Sequence, residues 1–432
     1  MAGDITRRSV NLGLGAALAS TLAAPFISRR AFASSKPILL GVPATSTAAV
    51  GAADHGDHIN GTAIAVDEIN AAGGILGRPL KQVVIDFDPL SPESSKQAIA
   101  ACIDAKVDAI SNPYMLPPLP AMDVSSQYKC PFLHGSANRV SSEAVKDDPE
   151  KFGHVFMATS AEVNYGWTFP QWLAHAETKG GWTPKNRKIH IVQEQIAYTQ
   201  TISKCAQEAI KKDGKFEIAR ITDIQYPVQD WATVIRELRE VDAGMIIIDH
   251  WVAAELAGFA TQFVYDPVPD SLVYLQYGPS QPEFLTLCGP AANGFCWSTV
   301  TGVYADEKGM AFRKKYQERF PGVMGLVYTG LGYDVPFMLK NAWEAVGDPR
   351  KFAEVNAWLK ANPYRGVCGH YDMNNPYQET RHFPDNGFDS LQVPELDKGQ
   401  SQYYCQIQDQ EHKIIFPDEL AQEKIKPAPW WS

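Results

Sequence analysis

Apolar residues recur along the chain in two rhythms, and the change from one to the other marks out the elements. Between positions 57 and 89, Ile59, Ala63, Val66 and Ile69 return at the spacing of one helix face. Gly73 and Gly74 then stop that helix, because glycine takes the left-handed cap conformation without steric cost. Val83, Ile85 and Phe87 alternate with Gln82, Val84 and Asp86, which is the period of a strand. An earlier apolar run at 38–42 predicts a strand before the helix. Strand, helix, strand is a β-α-β beginning, and such beginnings propagate into parallel sheets.

The alternation continues. Ser91 before Pro92 starts a helix to about 106, with serine as cap and proline in the first position, and Ile99 and Ile103 facing inward. A strand at 107–110, a helix at 119–128 and a strand at 131–134 follow, so four strand-helix repeats predict a doubly wound sheet. The stretch 154–158 reads as a crossing segment. A second series begins beyond it: a helix at 163–179 carrying Trp167, Phe169 and Trp172, then strands at 188–192, 216–222, 245–248, 272–275 and 294–300, with helices at 199–212, 230–241 and 253–263. Helices at 307–320, 328–346 and 351–359 resume the style of the first series. Beyond 365 the chain is rich in Pro, Gln and Tyr, with short strands such as 403–407. The expected fold is α/β, two doubly wound Rossmann-like lobes that the chain crosses between more than once.

Composition narrows the function. A chain of 432 residues exceeds one ordinary core, and 45% apolar with 20% charged residues is a globular balance. The net charge is −10 and no basic run occurs, which argues against nucleic acid as a partner. Thr6-Arg7-Arg8-Ser9-Val10-Asn11-Leu12 precedes a mild Ala/Gly/Leu run to Ile27, and Ala31-Phe32-Ala33 carries small residues suited to a signal peptidase. Residues 1–33 are therefore expected to be a cleaved, twin-arginine-like export signal, with an ordinary secretory signal as the alternative. That run is too short and too rich in glycine for a stable membrane span. The product is expected in the periplasm. Seven cysteines include no C-x-x-C; Cys288 with Cys296, or Cys368 with Cys405, are candidate bridges, and buried free thiols are the other reading.

Ala65 to Leu80, AVDEINAAGGILGRPL, resembles the first helix and turn of the type I periplasmic binding proteins, in the branched-chain amino-acid and amide receptor branch. The resemblance implies three hinge crossings, near 158, 303 and 365. Lobe 1 would hold 36–158 and 304–365; lobe 2 would hold 159–303 and 366–432. It further implies a substrate-binding protein of an ABC importer, closing on a small amino-acid-like, amide or aromatic carboxylate ligand in the interlobe cleft and presenting it to membrane permease subunits. A periplasmic sensor presenting its closed form to a membrane signalling partner uses the same closure.

In an open parallel sheet, ligands sit beyond the carboxyl ends of the strands. The rule selects loops 43–58, 112–118, 135–141, 193–199, 249–252 and 276–281. They supply Tyr114, Tyr198, Trp251 and Tyr277, with Asp54, His55, Ser136, Asn138, Arg139, Asp249 and His250 as polar partners. Aromatic walls with a few polar groups describe a small-molecule pocket, although a lobe interface would contain the same residues. Ser136-Ala137-Asn138 resembles the family turn that binds a ligand carboxylate through main-chain N–H groups and a hydroxyl. Tyr198 falls where the family has an aromatic. Two departures bear on the ligand. Tyr114-Met115-Leu116 replaces the serines of branched-chain receptors, and Tyr277-Gly278-Pro279-Ser280 replaces the glutamate that pairs with the ligand ammonium. Unless Asp249 or Asp54 substitutes, amide-like or aromatic carboxylate ligands gain over aliphatic amino acids. The expected binding set is Asp54, His55, Tyr114, Met115, Ser136, Ala137, Asn138, Tyr198, Trp251 and Tyr277.

Other chemistry is weaker. Asp54-His55-Gly56-Asp57-His58 could be read as metal ligands, but aspartate at a helix start serves as a cap, and no metal or other cofactor is expected. Asp249-His250 with Ser136 could be imagined as a hydrolase set, yet no G-x-S-x-G or H-E-x-x-H occurs, so no enzyme is expected. Gly330-Leu331-Gly332 lacks the third glycine of a nucleotide motif.

Overall fold

The computed structural model describes residues 36–48 and 50–432. The expected export signal lies outside the described residues. Helices and strands alternate through most of the chain. The first series runs β1 (Ile38–Pro43), α1 (Ala52–Ala71), β2 (Leu80–Ile85), α2 (Pro92–Asp104), β3 (Ala109–Asn112), α3 (Leu119–Ser125), β4 (Phe132–His134), α4 (Arg139–Asp147), α5 (Pro149–Phe152) and β5 (Val155–Met157). The second runs α6 (Val163–Trp167), α7 (Phe169–His175), β6 (Lys188–Glu194), α8 (Ala197–Asp213), β7 (Glu217–Ile224), α9 (Trp231–Val241), β8 (Met245–Asp249), α10 (Ala253–Phe263), β9 (Leu272–Leu275), α11 (Pro282–Cys288) and β10 (Cys296–Thr299). Then come α12 (Glu307–Arg319), α13 (Tyr328–Val346) and α14 (Phe352–Ala361), followed by short strands β11 (Tyr364–Gly366), β12 (Gly369–Tyr371), β13 (His382–Phe383) and β14 (Gln400–Ser401) and the hairpin β15 (Tyr403–Gln408) and β16 (Glu411–Phe416).

The first sheet is all parallel in the order β2-β1-β3-β4-β5. The second has β7-β6-β8-β9-β10 in the same order, and β15 joins β10 antiparallel with β16 outside it. Each lobe therefore has its strand order reversing between its first and third strands, where a crevice opens at the carboxyl ends. The long C-terminal stretch completes the second sheet rather than trailing from it. Its middle returns to the first: Met157 N–H donates to Gln378 O at 2.9 Å and Thr380 N–H to Met157 O at 3.1 Å, along the edge of β5.

Residues 154–158, expected as a crossing, supply β5, which pairs with β4. The single helix expected at 163–179 is broken at Thr168, because Pro170 has no N–H to continue the ladder. On α1 the buried face is displaced from the expected one. Ile64, Ala65, Val66 and Ile69 are buried, whereas Ile59 and Ala63 are half-buried. The cause is α13, which packs along α1 at close range. A side chain at Gly61 would meet Thr329 O at 2.0 Å, and one at Gly332 would meet His58 O at 2.3 Å. Gly332 thus serves helix packing. At the other end of α1, Gly74 N–H donates to Ile69 O at 2.9 Å and both Gly73 and Gly74 have positive φ, the expected stop.

All seven cysteines are buried free thiols, so neither candidate bridge is formed. Cys288 and Cys296 pack into different cores, and Cys368 Sγ instead faces Val327 O at 4.0 Å. Among the described residues no helix is long and apolar enough to cross a membrane.

Candidate functional site

The two sets of strand ends face each other across a small cavity. Tyr114 and Leu116 follow β3, Gly135, Ser136 and Ala137 follow β4, and Trp251 and Tyr277 follow β8 and β9. Tyr198 stands in the first turn of α8, Tyr165 on α6, Val300 and Thr301 after β10, and Val327 and Tyr328 at the start of α13. The centre of a water-sized sphere reaches about 30 Å³ of the space between them. One water needs roughly 10–15 Å³ by that measure, so the space between the walls is that of about two or three waters.

Its walls are mainly phenol and indole. Burial pushes the hydroxyls of Tyr114, Tyr198, Tyr277 and Tyr328 well above the usual phenol range and that of Tyr165 up to about 12. All five tyrosines are neutral at physiological pH. Tyr328 Oη donates to Gly135 O at 3.1 Å, which ties α13 to the turn after β4. That turn is the polar end of the cavity. Ser136 Oγ accepts from Met115 N–H at 3.3 Å, which leaves its own hydrogen free to donate, and Thr301 Oγ1 is buried without a partner. Ala137 and Tyr277 both have positive φ, 44° and 53°. Non-glycine residues in the left-handed region cost energy and gather where a site over-determines the backbone. Among the described residues no charged side chain lines the cavity.

Tyr114, Ser136, Ala137, Tyr198, Trp251 and Tyr277 thus meet at one place. The other members of the expected set do not line it. Met115 turns into the core of the first lobe beside Met122 and Phe132, and Leu116 takes its place. Asn138 caps α4, its Oδ1 accepting from Val140 N–H at 3.1 Å. Asp54 and His55 stand one layer back, within the first turns of α1, which begins six residues before the expected loop ends. His55 Nδ1 accepts from Thr45 N–H at 3.0 Å, and burial holds the ring neutral. Its edge supports Tyr114 at 4.5 Å between centroids. Gly51, with φ 87°, leaves room for the Tyr114 hydroxyl, which a side chain there would meet at 2.4 Å.

The acid and histidine run on α1 disperses. Asp54 Oδ2 accepts from Tyr277 Oη at 2.9 Å and Gln281 Nε2 at 3.1 Å, whereas Asp57 accepts from Tyr316 Oη at 2.6 Å and Gly325 N–H at 3.0 Å. His58 Nε2 meets Ser111 Oγ at 2.9 Å. Arg139 pairs with Glu379 at 3.2 Å and Asp389 at 3.0 Å. His250 bridges Glu194 at 2.9 Å and Glu255 at 3.0 Å, so it is no partner for Ser136. Asp249 is buried and does not line the cavity.

Tyr165, Val327 and Tyr328 were missed because they lie on α6 and at the start of α13, which a rule about strand ends does not select. Val300 and Thr301 do follow a strand, and the same rule applied to β10 would have found them.

Two α/β lobes of one strand order that meet across an aromatic cavity have the architecture of a two-lobed receptor. The family model described as periplasmic binding protein matches residues 37–398, and the chain belongs to that family, as a type I ABC-transporter substrate-binding protein of the branched-chain amino-acid and amide receptor branch. Members of this family bind small molecules and partner with ABC transporter membrane permease subunits. A protein from Silicibacter pomeroyi, provisionally described as a branched-chain amino acid ABC transporter, is 28% identical with a TM-score of 0.83 over 91% of this chain and 100% of its own. A branched-chain amino acid substrate-binding protein from Streptococcus pneumoniae in complex with isoleucine shares 17% identity and a TM-score of 0.70, over 88% of this chain and 100% of its own. A solute-binding protein from R. palustris in complex with benzoate shares 14% and 0.68, over 89% and 99%. No curated protein matches the chain.

Proposed function

We propose that this receptor takes a small aromatic carboxylate, or an amide of similar size, and delivers it to its importer from the periplasm. One observation carries the reading: five tyrosines and Trp251 enclose a cavity whose polar end is a seryl hydroxyl and a turn, with no charged side chain on its wall. An α-amino acid would bring an ammonium, and burying it without a carboxylate partner is costly. Asp54 does not serve, since it lies behind Tyr277 and already accepts from it. A carboxylate is better accommodated, because the Ser136 hydroxyl keeps a hydrogen to donate, while ring faces stack on the tyrosines and Trp251. The relative that holds benzoate adds support, and the one that holds isoleucine marks the competitor.

The lobes in this reading are 36–158 with 304–365 and 159–303 with 366–432. Ligand contacts one lobe first, and closure about the three crossings follows because the closed state gains contacts with it. Export would use the twin-arginine-like signal at 1–33, cleaved after Ala33. Calorimetry with benzoate and with isoleucine tests the ligand class. Benzoate is expected to bind and isoleucine to bind far more weakly; the reverse order would sink the reading.

A further inference from the structure

Asp54 belongs to α1, on the first lobe, yet two of its hydrogen-bond partners come from the second. Tyr277 Oη donates at 2.9 Å and Gln281 Nε2 at 3.1 Å, while Tyr114 Oη from its own lobe stands at 3.5 Å. Gln281 Nε2 also reaches Trp251 O at 3.4 Å. One carboxylate oxygen therefore ties together three cavity-wall residues, Tyr114, Tyr277 and Trp251, without touching the cavity itself. Its surroundings are acidic. Asp57 lies one turn along α1, and Glu283, from α11 of the second lobe, has a buried oxygen without a partner. The remaining titratable groups facing it are phenols, those of Tyr328 on α13 and Tyr165 on α6, with neutral His55 beside it. Among the described residues, none of the three carboxylates has an ion-pair partner.

We propose that Asp54 is a positioning residue that latches Tyr277 and Gln281 onto the first lobe when the cleft shuts, and that shutting it takes up a proton. The physical reason is that closure removes this carboxylate from water and brings Glu283 toward it, with no cation to compensate. Burial, then the neighbouring acids, push Asp54 well above the ordinary aspartate range in the shut form, although the tyrosine hydrogen bonds oppose this. An open cleft would return it to water and to its ordinary value. The sign follows: closure is favoured as pH falls through the raised value, and the dependence vanishes below the ordinary aspartate range, where both forms are protonated.

The latch rests on the closing-lobe reading but not on the identity of the ligand, and the experiment separates the two. Small-angle scattering of the ligand-free protein at about pH 5.5 and about pH 8 is expected to give a smaller radius of gyration at the lower pH. Asp54→Asn is expected to remove that difference. A wild-type radius independent of pH, or a pH dependence that survives Asp54→Asn, overturns the latch. Benzoate calorimetry at the same two pH values is expected to show affinity about tenfold weaker at the higher one, the equivalent of one pKa unit of linkage. Benzoate that binds at neither pH overturns the ligand class while the scattering still decides the latch. Should Asp54→Asn fail to fold, Glu283→Gln removes the unpartnered acid alone and is expected to narrow the pH dependence; an unaltered dependence counts against the proposal.

Discussion

The two crests that face each other across the cavity share a strand order and differ in what they are made of. The first-lobe crest sets main chain beside Tyr114: the Ser136-Ala137 turn, its positive φ at Ala137, and α4 capped by Asn138. The second-lobe crest is built from side chains, with Trp251 and Tyr277 at the strand ends and Tyr198 on α8. Its base is the buried chain Glu194, His250, Glu255. The same topology therefore delivers a polar end from one lobe and stacking faces from both. In the proposed function, that arrangement orients a ligand with one charged end and one flat apolar body.

The comparison can be broken by removing the supports in turn. His250→Ala leaves Glu194 buried and unpaired and is expected to cost roughly 3–5 kcal/mol of stability, read by denaturant unfolding. Burial lowers the His250 pKa, but the hydrogen bonds and charges of the two glutamates outweigh it and hold it above the ordinary histidine value. The stability this adds is fully present below the ordinary histidine range and is lost as pH rises through the raised value. A wild-type stability with no decline through that window would remove the ion triad from the account. Trp251→Ala is expected to weaken benzoate binding by about 2–3 kcal/mol, roughly a hundredfold, with the fold retained. Unaltered affinity in calorimetry would take the indole out of the site.

The first lobe should respond more gently. Ser136→Ala removes one hydroxyl donor and is expected to cost about 1 kcal/mol of affinity. A loss as large as that of Trp251→Ala would mean the polar end dominates. Asn138→Ala should cost about 1 kcal/mol of stability through the lost cap and leave affinity alone. If affinity falls instead, Asn138 reaches the ligand and the cap is secondary.

Much of the framework could be read before any coordinates. Helical spacing, the Gly73-Gly74 stop and the Ser91-Pro92 start placed elements because these signals act within one turn of chain. The strand-end rule selected Tyr114, Ser136, Ala137, Tyr198, Trp251 and Tyr277, which line the cavity, for the same kind of reason. It could not tell Met115 from Leu116, since adjacent residues on a turn point to opposite sides and only packing says which side is the core. Nor could it see that Asp54 reaches across to Tyr277 and Gln281.

Local order, then, is written in neighbouring residues: period, caps, glycine stops and the alternation that makes two parallel sheets. Residues hundreds of positions apart settled the rest. The buried face of α1 was set by the glycines through which α13 approaches, the C-terminal stretch by an open sheet edge that β15 could complete, and the cavity by Tyr165 and Tyr328 arriving from α6 and α13. Such pairings depend on shape and on burial of polar groups at a distance, and neither leaves a trace in sequence spacing.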